Sequence, residues 1–213
     1  MNFKTITYER YLKSIPIEGR HILGQQTEEQ ILVYQAFNPA IADFAIEHQY
    51  FGGNAYSYSR MSWIKPNFLW MMYRCGWAEK TNQERVLGIW IQKTDFDRIL
   101  SQSTFSSFKP DIYEDYDTWK ETLETHPVRL QWDPDHDIYG LKQNRKAIQL
   151  GIKSDLLKVF GKDMICNIID VTDFVKQQKH YIYSKQLDKL CIPEEEIYIP
   201  TEENIQRQIG LIS

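Results

Sequence analysis

Residues 59–77 hold the densest cluster of large and charged side chains in this sequence. Three Trp, three Met and the cations Arg60, Lys65 and Arg74 fall within nineteen positions. Apolar and aromatic side chains gain free energy by burial, whereas a cation that is buried with them needs a partner. We therefore expect at least two of the three tryptophans to pack in the core. Cations set in an aromatic wall suit an anion attached to a flat ring, as in a nucleotide.

The chain is long enough for one domain with a substantial core. Of its 213 residues, 42% are hydrophobic and 14% aromatic, so we do not expect disorder. We predict a single domain over residues 1–213, with its core at about 20–178. The polar tail at 179–213 is predicted to form a C-terminal arm or helix.

Charge is distributed unevenly along the chain. The net charge of −4 argues against broad electrostatic binding to nucleic acid or to an anionic membrane. Residues 60–85 nevertheless carry five Lys or Arg and two Glu, whereas residues 111–137 carry nine acidic and two basic residues. A local basic site therefore remains compatible with the acidic composition.

The cysteines and the hydropathy pattern indicate in which cellular compartment the protein is expected. Three widely spaced cysteines without a Cys-x-x-Cys pair are typical of a reducing environment. No apolar run is long enough to span a bilayer, and the N-terminal residues lack the continuous apolar core of a signal peptide. We therefore expect a cytoplasmic protein that does not act at a membrane.

Apolar and β-branched runs predict six strands, at 31–37, 56–63, 86–91, 128–132, 145–152 and 164–171. Helices are predicted after the caps Asn38 and Asn67, at 94–100, 117–124 and 154–160, and after Thr172. Residues 1–30 are predicted to form an irregular arm or a short helix near 27–30. These elements do not alternate regularly, so a doubly wound parallel sheet is not favoured. We predict an α+β fold with a split or curved β-sheet and short flanking helices.

Motifs of common enzyme sites are absent. The sequence has no glycine-rich dinucleotide loop after a strand, no phosphate-binding loop, no nucleophile elbow and no HExxH zinc motif. Asp133, Asp135, His136 and Asp137 have side chains that ligate metals, but this run is typical of a solvated turn and lacks the calcium-loop spacing. We therefore predict no metal site.

Several polar residues stand in apolar surroundings and have two interpretations each. Gln149 lies inside an apolar strand and Gln35 at the end of another, so each is either a hydrogen-bonded core amide or a ligand contact. The cations of residues 59–77 either bind a phosphate or pair with Glu79 or Glu84. A nucleophilic role for Cys75 is less favoured, because no histidine lies near it in the sequence.

Four segments resemble a known family, the domain of unknown function 4291, over about residues 20–178. They are VYQAF at 33–37, RMSWIKPNFLWMMYRCGW at 60–77, QE at 83–84 and AIQLG at 147–151. The central segment is highly specific. The name of this family assigns no activity, so the resemblance alone does not predict a reaction.

The order of elements is also similar to the ADP-ribosyltransferase fold, in which NAD lies in the cleft of a split sheet. This resemblance places Gln35, after Tyr34, at a first-strand position usually held by His or Arg. Tyr58 or Ser62 takes the second position, and Gln149 takes the third, where glutamate is usual. It implies that Gln35, Tyr58, Ser62 and Gln149 are catalytic. Bound NAD would contact Tyr34, Gln35, Arg60, Lys65 and Arg74.

The leading hypothesis is thus an NAD-dependent transferase with a nucleic-acid or protein acceptor. A glutamine at the third position can bond a ribose hydroxyl but cannot act as a general base, so binding without turnover stays open. One alternative is a non-catalytic module that binds single-stranded nucleic acid through rings and cations. Another is a protein-interaction domain that exposes three tryptophans, Trp63, Trp70 and Trp77.

Overall fold

The computed structural model describes residues 3–212, which form twelve strands and eight helices. The strands are β1 (Thr5–Thr7), β2 (Gly19–Arg20), β3 (Ile22–Gly24), β4 (Gln30–Phe37), β5 (Ser62–Ile64), β6 (Arg85–Gln92), β7 (Ser103–Phe105), β8 (Val128–His136), β9 (Lys142–Ile152), β10 (Ile165–Asp170), β11 (Cys191–Pro193) and β12 (Glu196–Tyr198). The helices are α1 (Tyr8–Ser14), α2 (Pro39–His48), α3 (Phe68–Cys75), α4 (Lys93–Ser101), α5 (Tyr116–Thr125), α6 (Ser154–Lys162), α7 (Thr172–Tyr183) and α8 (Glu203–Gln208). Met1, Asn2 and Ser213, which the predicted domain includes, lie outside the described residues.

Two main sheets meet at one pair of residues. The first is antiparallel, in the order β10-β6-β4, and the second has the order β2-β9-β8-β7 with β5 also paired to β9. Tyr34 on β4 and Lys65 after β5 exchange two backbone hydrogen bonds, with N···O distances of 2.7 and 3.2 Å. The sheets therefore form one curled surface that is split beyond this pair, which is the α+β arrangement that the sequence predicts.

The core consists of two apolar clusters, one on each face of the three-stranded sheet. On β4, Ile31 and Val33 point into one cluster, whereas Leu32 and Tyr34 point into the other. A strand that is covered on both faces needs apolar residues at successive positions rather than alternating ones. This explains the continuous apolar runs of β4 and β6.

Helix α3 carries most of the tryptophan- and methionine-rich segment and is fixed at both ends. The Asn67 side chain accepts a hydrogen bond from the Trp70 N–H (2.7 Å), and Gly76 ends the helix in the left-handed conformation. The buried carboxyl group of Glu195 accepts hydrogen bonds from the Phe68 N–H (2.6 Å), the Asn67 amide (3.1 Å) and the Tyr11 hydroxyl (2.9 Å). Burial raises the pKa of Glu195 to about 8, opposed by the bonds from Phe68 and Tyr11. Segments near both chain ends thus hold α3 in place.

Most of the predicted elements are confirmed. Strands at 31–37, 86–91, 128–132, 145–152 and 164–171 and helices at 94–100, 117–124 and 154–160 correspond to observed elements, as do the helices at Asn38, Asn67 and Thr172. Two boundaries differ slightly, since α4 begins at Lys93 and is preceded by Gln92, and α7 begins at Thr172 itself. Apolar runs and side-chain caps are therefore sufficient to locate these elements.

Three local predictions are wrong. The strand predicted at 56–63 is formed only by Ser62–Ile64, because Tyr58 turns away and donates its hydroxyl to the Phe51 carbonyl (2.5 Å). Instead of a turn at 133–137, β8 continues to His136, where the Asp135 carboxylate pairs with Arg145 (2.5 Å). The N-terminal segment is neither an irregular arm nor a helix at 27–30, because β1, α1, β2 and β3 form within it and β4 begins at Gln30.

The C-terminal tail, for which an arm or a helix is predicted, contains two short strands and one short helix. It contains β11 and β12, which pair with β1 and β3 near the N-terminus, and then α8. Ile192, Ile205 and Ile209 are buried in the two clusters. None of the helices in residues 3–212 combines the length and the hydropathy that crossing a bilayer requires.

Replacing Glu195 with Ala tests how strongly the tail fixes α3. The substitution leaves the Phe68 N–H, the Asn67 amide and the Tyr11 hydroxyl buried without an acceptor. We expect the free energy of unfolding in urea to fall by about 2–4 kcal/mol. Glu194→Ala is the control, since Glu194 lies 4.0 Å from Arg10 in a surface ion pair and is expected to contribute less than about 1 kcal/mol. Equal effects of the two substitutions would contradict this role for Glu195.

Candidate functional site

A cleft of about 490 Å³ opens where the two sheets separate. The end of β4, the segment around β5, helix α3 and the facing strands β8 and β9 form its walls. Four glutamines and three cations line it, and no Asp or Glu does so among the described residues. The cleft is therefore polar and positively charged, which suits an anionic ligand with further hydrogen-bonding groups.

Gln35 lies at the point where the sheets separate. Its amide nitrogen donates to the Ser62 hydroxyl (2.7 Å) and to the Trp63 carbonyl (3.1 Å), in place of backbone pairing between β4 and β5. Both amide hydrogens are then used. The Gln35 carbonyl oxygen is buried without a hydrogen-bond partner among the described residues.

Gln149 on β9 lies directly opposite Gln131 on β8. Its amide nitrogen donates to the Gln131 carbonyl oxygen (2.7 Å) and to the Asp133 carboxylate (2.7 Å). These two bonds use both amide hydrogens and fix the orientation of the side chain. Within residues 3–212 no donor bonds the Gln149 carbonyl oxygen, so this atom can accept a hydrogen bond from a ligand.

The three cations in the cleft lack ion-pair partners within the described part of the chain. No carboxylate lies within 4.0 Å of Arg60, Lys65 or Arg74. The alternative of pairing with Glu79 or Glu84 is wrong, because Glu79 pairs with Lys179 and Glu84 accepts a hydrogen bond from the Asn82 N–H (2.8 Å). The positive charge of the cleft is therefore not compensated within 4 Å.

Lys65 differs from the two arginines in its burial. Its side chain is 4% exposed, whereas Arg60 and Arg74 are exposed at the mouth of the cleft. Burial, and then the nearby charge of Arg74, lower the pKa of Lys65 to about 7. A bound anion would counteract both effects, and its binding is therefore coupled to protonation of this amine.

Trp63 and Met61 form an apolar wall of the cleft above Gly151 on β9. A Cβ at Gly151 would lie 2.6 Å from the Met61 sulfur and 2.8 Å from the Trp63 ring. Glycine is therefore required for these side chains to lie against the strand. Trp70 and Trp77 are buried, so the three tryptophans do not form one exposed surface.

The structure brings together most of the predicted site residues. Gln35, Ser62, Arg60, Lys65, Arg74 and Gln149 all line the cleft. Tyr34 and Tyr58 do not. Tyr34 follows the strand alternation to the opposite face, where its ring packs edge-on against Phe68 at 5.5 Å. Tyr58 bonds the Phe51 carbonyl outside this cleft, so of the two candidates Tyr58 and Ser62 only Ser62 lines it.

Gln83 and Gln131 also line the cleft, and Asp133 bonds Gln149 without lining the cleft itself; the sequence does not predict these three as site residues. The alternation of β8 could have identified Gln131, because Leu130 and Trp132 point to the other face. Asp133 was assigned to a turn. Residues 3–212 contain no group of three or more His, Cys, Asp or Glu arranged to hold a metal ion. The Asp135 carboxylate bonds Arg145, and the His136 ring stacks on Tyr73 with centroids 3.5 Å apart.

A model of the family described as Domain of unknown function (DUF4291) matches residues 21–198. The chain belongs to this family. The match confirms the resemblance of the four segments to this family. It extends to residue 198, beyond the range of about 20–178 predicted from those segments. The DUF4291 region thus includes Glu195 and β12 as well as the cleft. No curated protein matches the chain.

Replacing Lys65 with Met tests the cost of the buried amine. The folded pKa of Lys65, about 7, lies below its ordinary value of 10.5, so folding loses stability as the pH falls from 10.5 toward 7. We therefore expect Lys65→Met to raise the free energy of unfolding at pH 6 by about 1–4 kcal/mol, and by less at pH 10. Urea denaturation at both pH values measures this. Lys158→Met, at an exposed site, is the control, and a loss of stability at pH 6 in Lys65→Met would contradict the assignment.

Proposed function

We propose that the cleft binds a nucleotide through its phosphates and that the ligand is NAD. The observation that carries this proposal is the convergence of three unpaired cations, a fixed amide oxygen and a tryptophan in one cleft without carboxylates. The volume of about 490 Å³ lies within the usual range of small-molecule sites, about 300–1,000 Å³.

The cations are assigned to the pyrophosphate. A guanidinium can bond two phosphate oxygens at once, and Arg60 and Arg74 lie at the mouth, where the chain can adjust to a ligand. Lys65 lies deeper and supplies one point charge. The Trp63 ring provides a flat apolar surface for an aromatic ring of the ligand.

The finer proposal is transfer of ADP-ribose from NAD to a nucleic-acid or protein acceptor. The resemblance to ADP-ribosyltransferases implies that Gln149 corresponds to their usual glutamate, and its free carbonyl oxygen is suited to accept a ribose hydroxyl. It cannot take up a proton. The Asp133 carboxylate, 2.7 Å from the Gln149 amide nitrogen, is the group that we assign to that step.

The proposed reaction balances without a further reagent. The bond between ribose C1′ and the nicotinamide nitrogen breaks, and nicotinamide leaves with the electron pair. A lone pair of the acceptor forms the new bond to C1′, and the acceptor proton passes to Asp133. Gln149 positions the ribose, and the cations hold the diphosphate. The products are the ADP-ribosylated acceptor, nicotinamide and one proton.

Release of nicotinamide from NAD, measured by chromatography with mixed nucleic-acid and protein acceptors, tests this function. We expect Asp133→Asn to lower the rate at least about 100-fold while NAD affinity in calorimetry stays within about threefold, because proton transfer typically contributes 10²–10⁴-fold. Arg74→Ala is expected to weaken NAD binding about tenfold, whereas Lys158→Ala leaves it unchanged. If the unmodified protein neither binds NAD or ADP-ribose nor releases nicotinamide, the proposal is wrong.

The pH dependence of ADP-ribose binding tests the role of Lys65. Its diphosphate stays fully ionised between pH 6 and 9, so a change in affinity reports on the protein. We expect affinity to fall about tenfold as the pH rises through and above the free-state pKa of about 7, because Lys65 loses its charge. Calorimetry measures the trend, and Lys65→Arg, which stays charged, should flatten it. An equally steep trend in Lys65→Arg would exclude Lys65 as its source.

A further inference from the structure

A second cleft, of about 440 Å³, lies along the edge of β8 beyond the end of β7. β7 pairs with β8 only at residues 128–130, and the Ser106 N–H bonds the Leu130 carbonyl (3.0 Å) just beyond this pairing. From Gln131 onward, this edge of β8 has no strand partner within residues 3–212. The backbone there is therefore available to a ligand or to water.

Three cations from separate parts of the chain converge on this cleft. They are Arg20 of β2, Lys109 in the loop after β7, and Lys146 of β9. In the described part of the protein, no carboxylate lies within 4.0 Å of any of the three. The Arg20 guanidinium donates to the Gly210 carbonyl (2.9 Å), which holds it in position. Cations without counter-charges create a local positive potential on a chain whose net charge is −4.

The second cleft shares a wall with the first. Gln131 lines both clefts, and Asp133 lines the second while bonding Gln149 of the first. The two clefts are therefore adjacent at Gln131. Asp133 bonds Gln149 but does not line the first cleft, so the carboxylate to which we assign proton uptake is accessible to an acceptor bound in the second cleft.

The lining of the second cleft favours a particular chemistry. Several cations with one acid, Asp133, suit a ligand with successive negative charges. The half-buried Trp132 ring also lines the cleft, and its N–H is fixed by the Ile209 carbonyl (2.7 Å), so a base could stack on a rigid surface. Acidic residues at 111–117 follow Lys109 closely and would repel a long duplex. A short single strand avoids this repulsion.

We infer that the second cleft binds the phosphates of a single-stranded nucleic acid, which is the acceptor in the proposed transfer. The role of the second cleft as the acceptor site rests on the proposed function. Binding of the strand itself rests only on Arg20, Lys109, Lys146 and the open edge of β8.

Fluorescence anisotropy with a labelled single-stranded 8-mer tests the site. The double variant Lys109→Gln/Lys146→Gln should bind at least about tenfold more weakly than the unmodified protein, and its salt slope should be smaller by about 1.4, as expected for two lost phosphate contacts. The matched control, Lys158→Gln/Lys176→Gln, removes the same charge from exposed helix positions and should bind like the unmodified protein. ADP-ribose affinity should stay within about twofold in both variants.

The outcomes separate this inference from the proposed function. If the two double variants bind the 8-mer with equal affinity, the second site is wrong, regardless of their affinity for ADP-ribose. If the 8-mer depends on Lys109 and Lys146 but ADP-ribose does not bind, the strand site stands and the proposed function fails. A phosphopeptide of equal charge, or inorganic phosphate alone, that binds as tightly as the 8-mer overturns the assignment to nucleic acid.

Discussion

The two backbone hydrogen bonds between Tyr34 and Lys65 are the contact on which the cleft depends. They join the two sheets at one point, and one residue further along β4 the strands are no longer paired through their backbones. The Gln35 amide takes over there, bonding the Trp63 carbonyl and the Ser62 hydroxyl. Because buried backbone groups must be paired, a side-chain amide allows the sheet to split without leaving the Trp63 carbonyl unsatisfied. The opening between the sheets is thus part of the hydrogen-bonding pattern.

The same contact places the Lys65 amine in the cleft, where its burial lowers the stability of the fold. The backbone of Lys65 joins the sheets, while its buried amine has no carboxylate within 4.0 Å among the described residues and has Arg74 nearby. Like charges and desolvation both disfavour the protonated form. The surrounding structure compensates, because α3 is held by Glu195 at its N-terminus and by Gly76 at its end. A local arrangement that costs stability is characteristic of binding sites.

The sequence predicts the helices and strands better than it predicts how they pair and pack in the tertiary structure. The apolar runs of β4, β6 and β9 and the cap Asn67 are local signals, and they locate their elements correctly. The segments at 56–61 and 133–136 depend on contacts with residues outside each segment, namely Tyr58 with Phe51 and Asp135 with Arg145, which apolar periodicity does not reveal. The convergence of Gln35 and Gln149 depends on the pairing of β5 with β9, which spacing cannot give. Asp133 was missed because the end of β8 was placed at residue 132.

The orientation of Gln149 determines how the proposed chemistry is divided. A glutamate at this position could both hold a ribose hydroxyl and carry charge. Here the amide hydrogens are committed to Gln131 and Asp133, so Gln149 can only accept a bond from the ligand. The carboxylate is instead one strand away, on β8, where it also lines the second cleft. Under the proposed function, binding of the ribose and uptake of a proton are then assigned to different side chains. The carboxylate assigned to the proton lines the second cleft, where we infer that the acceptor binds.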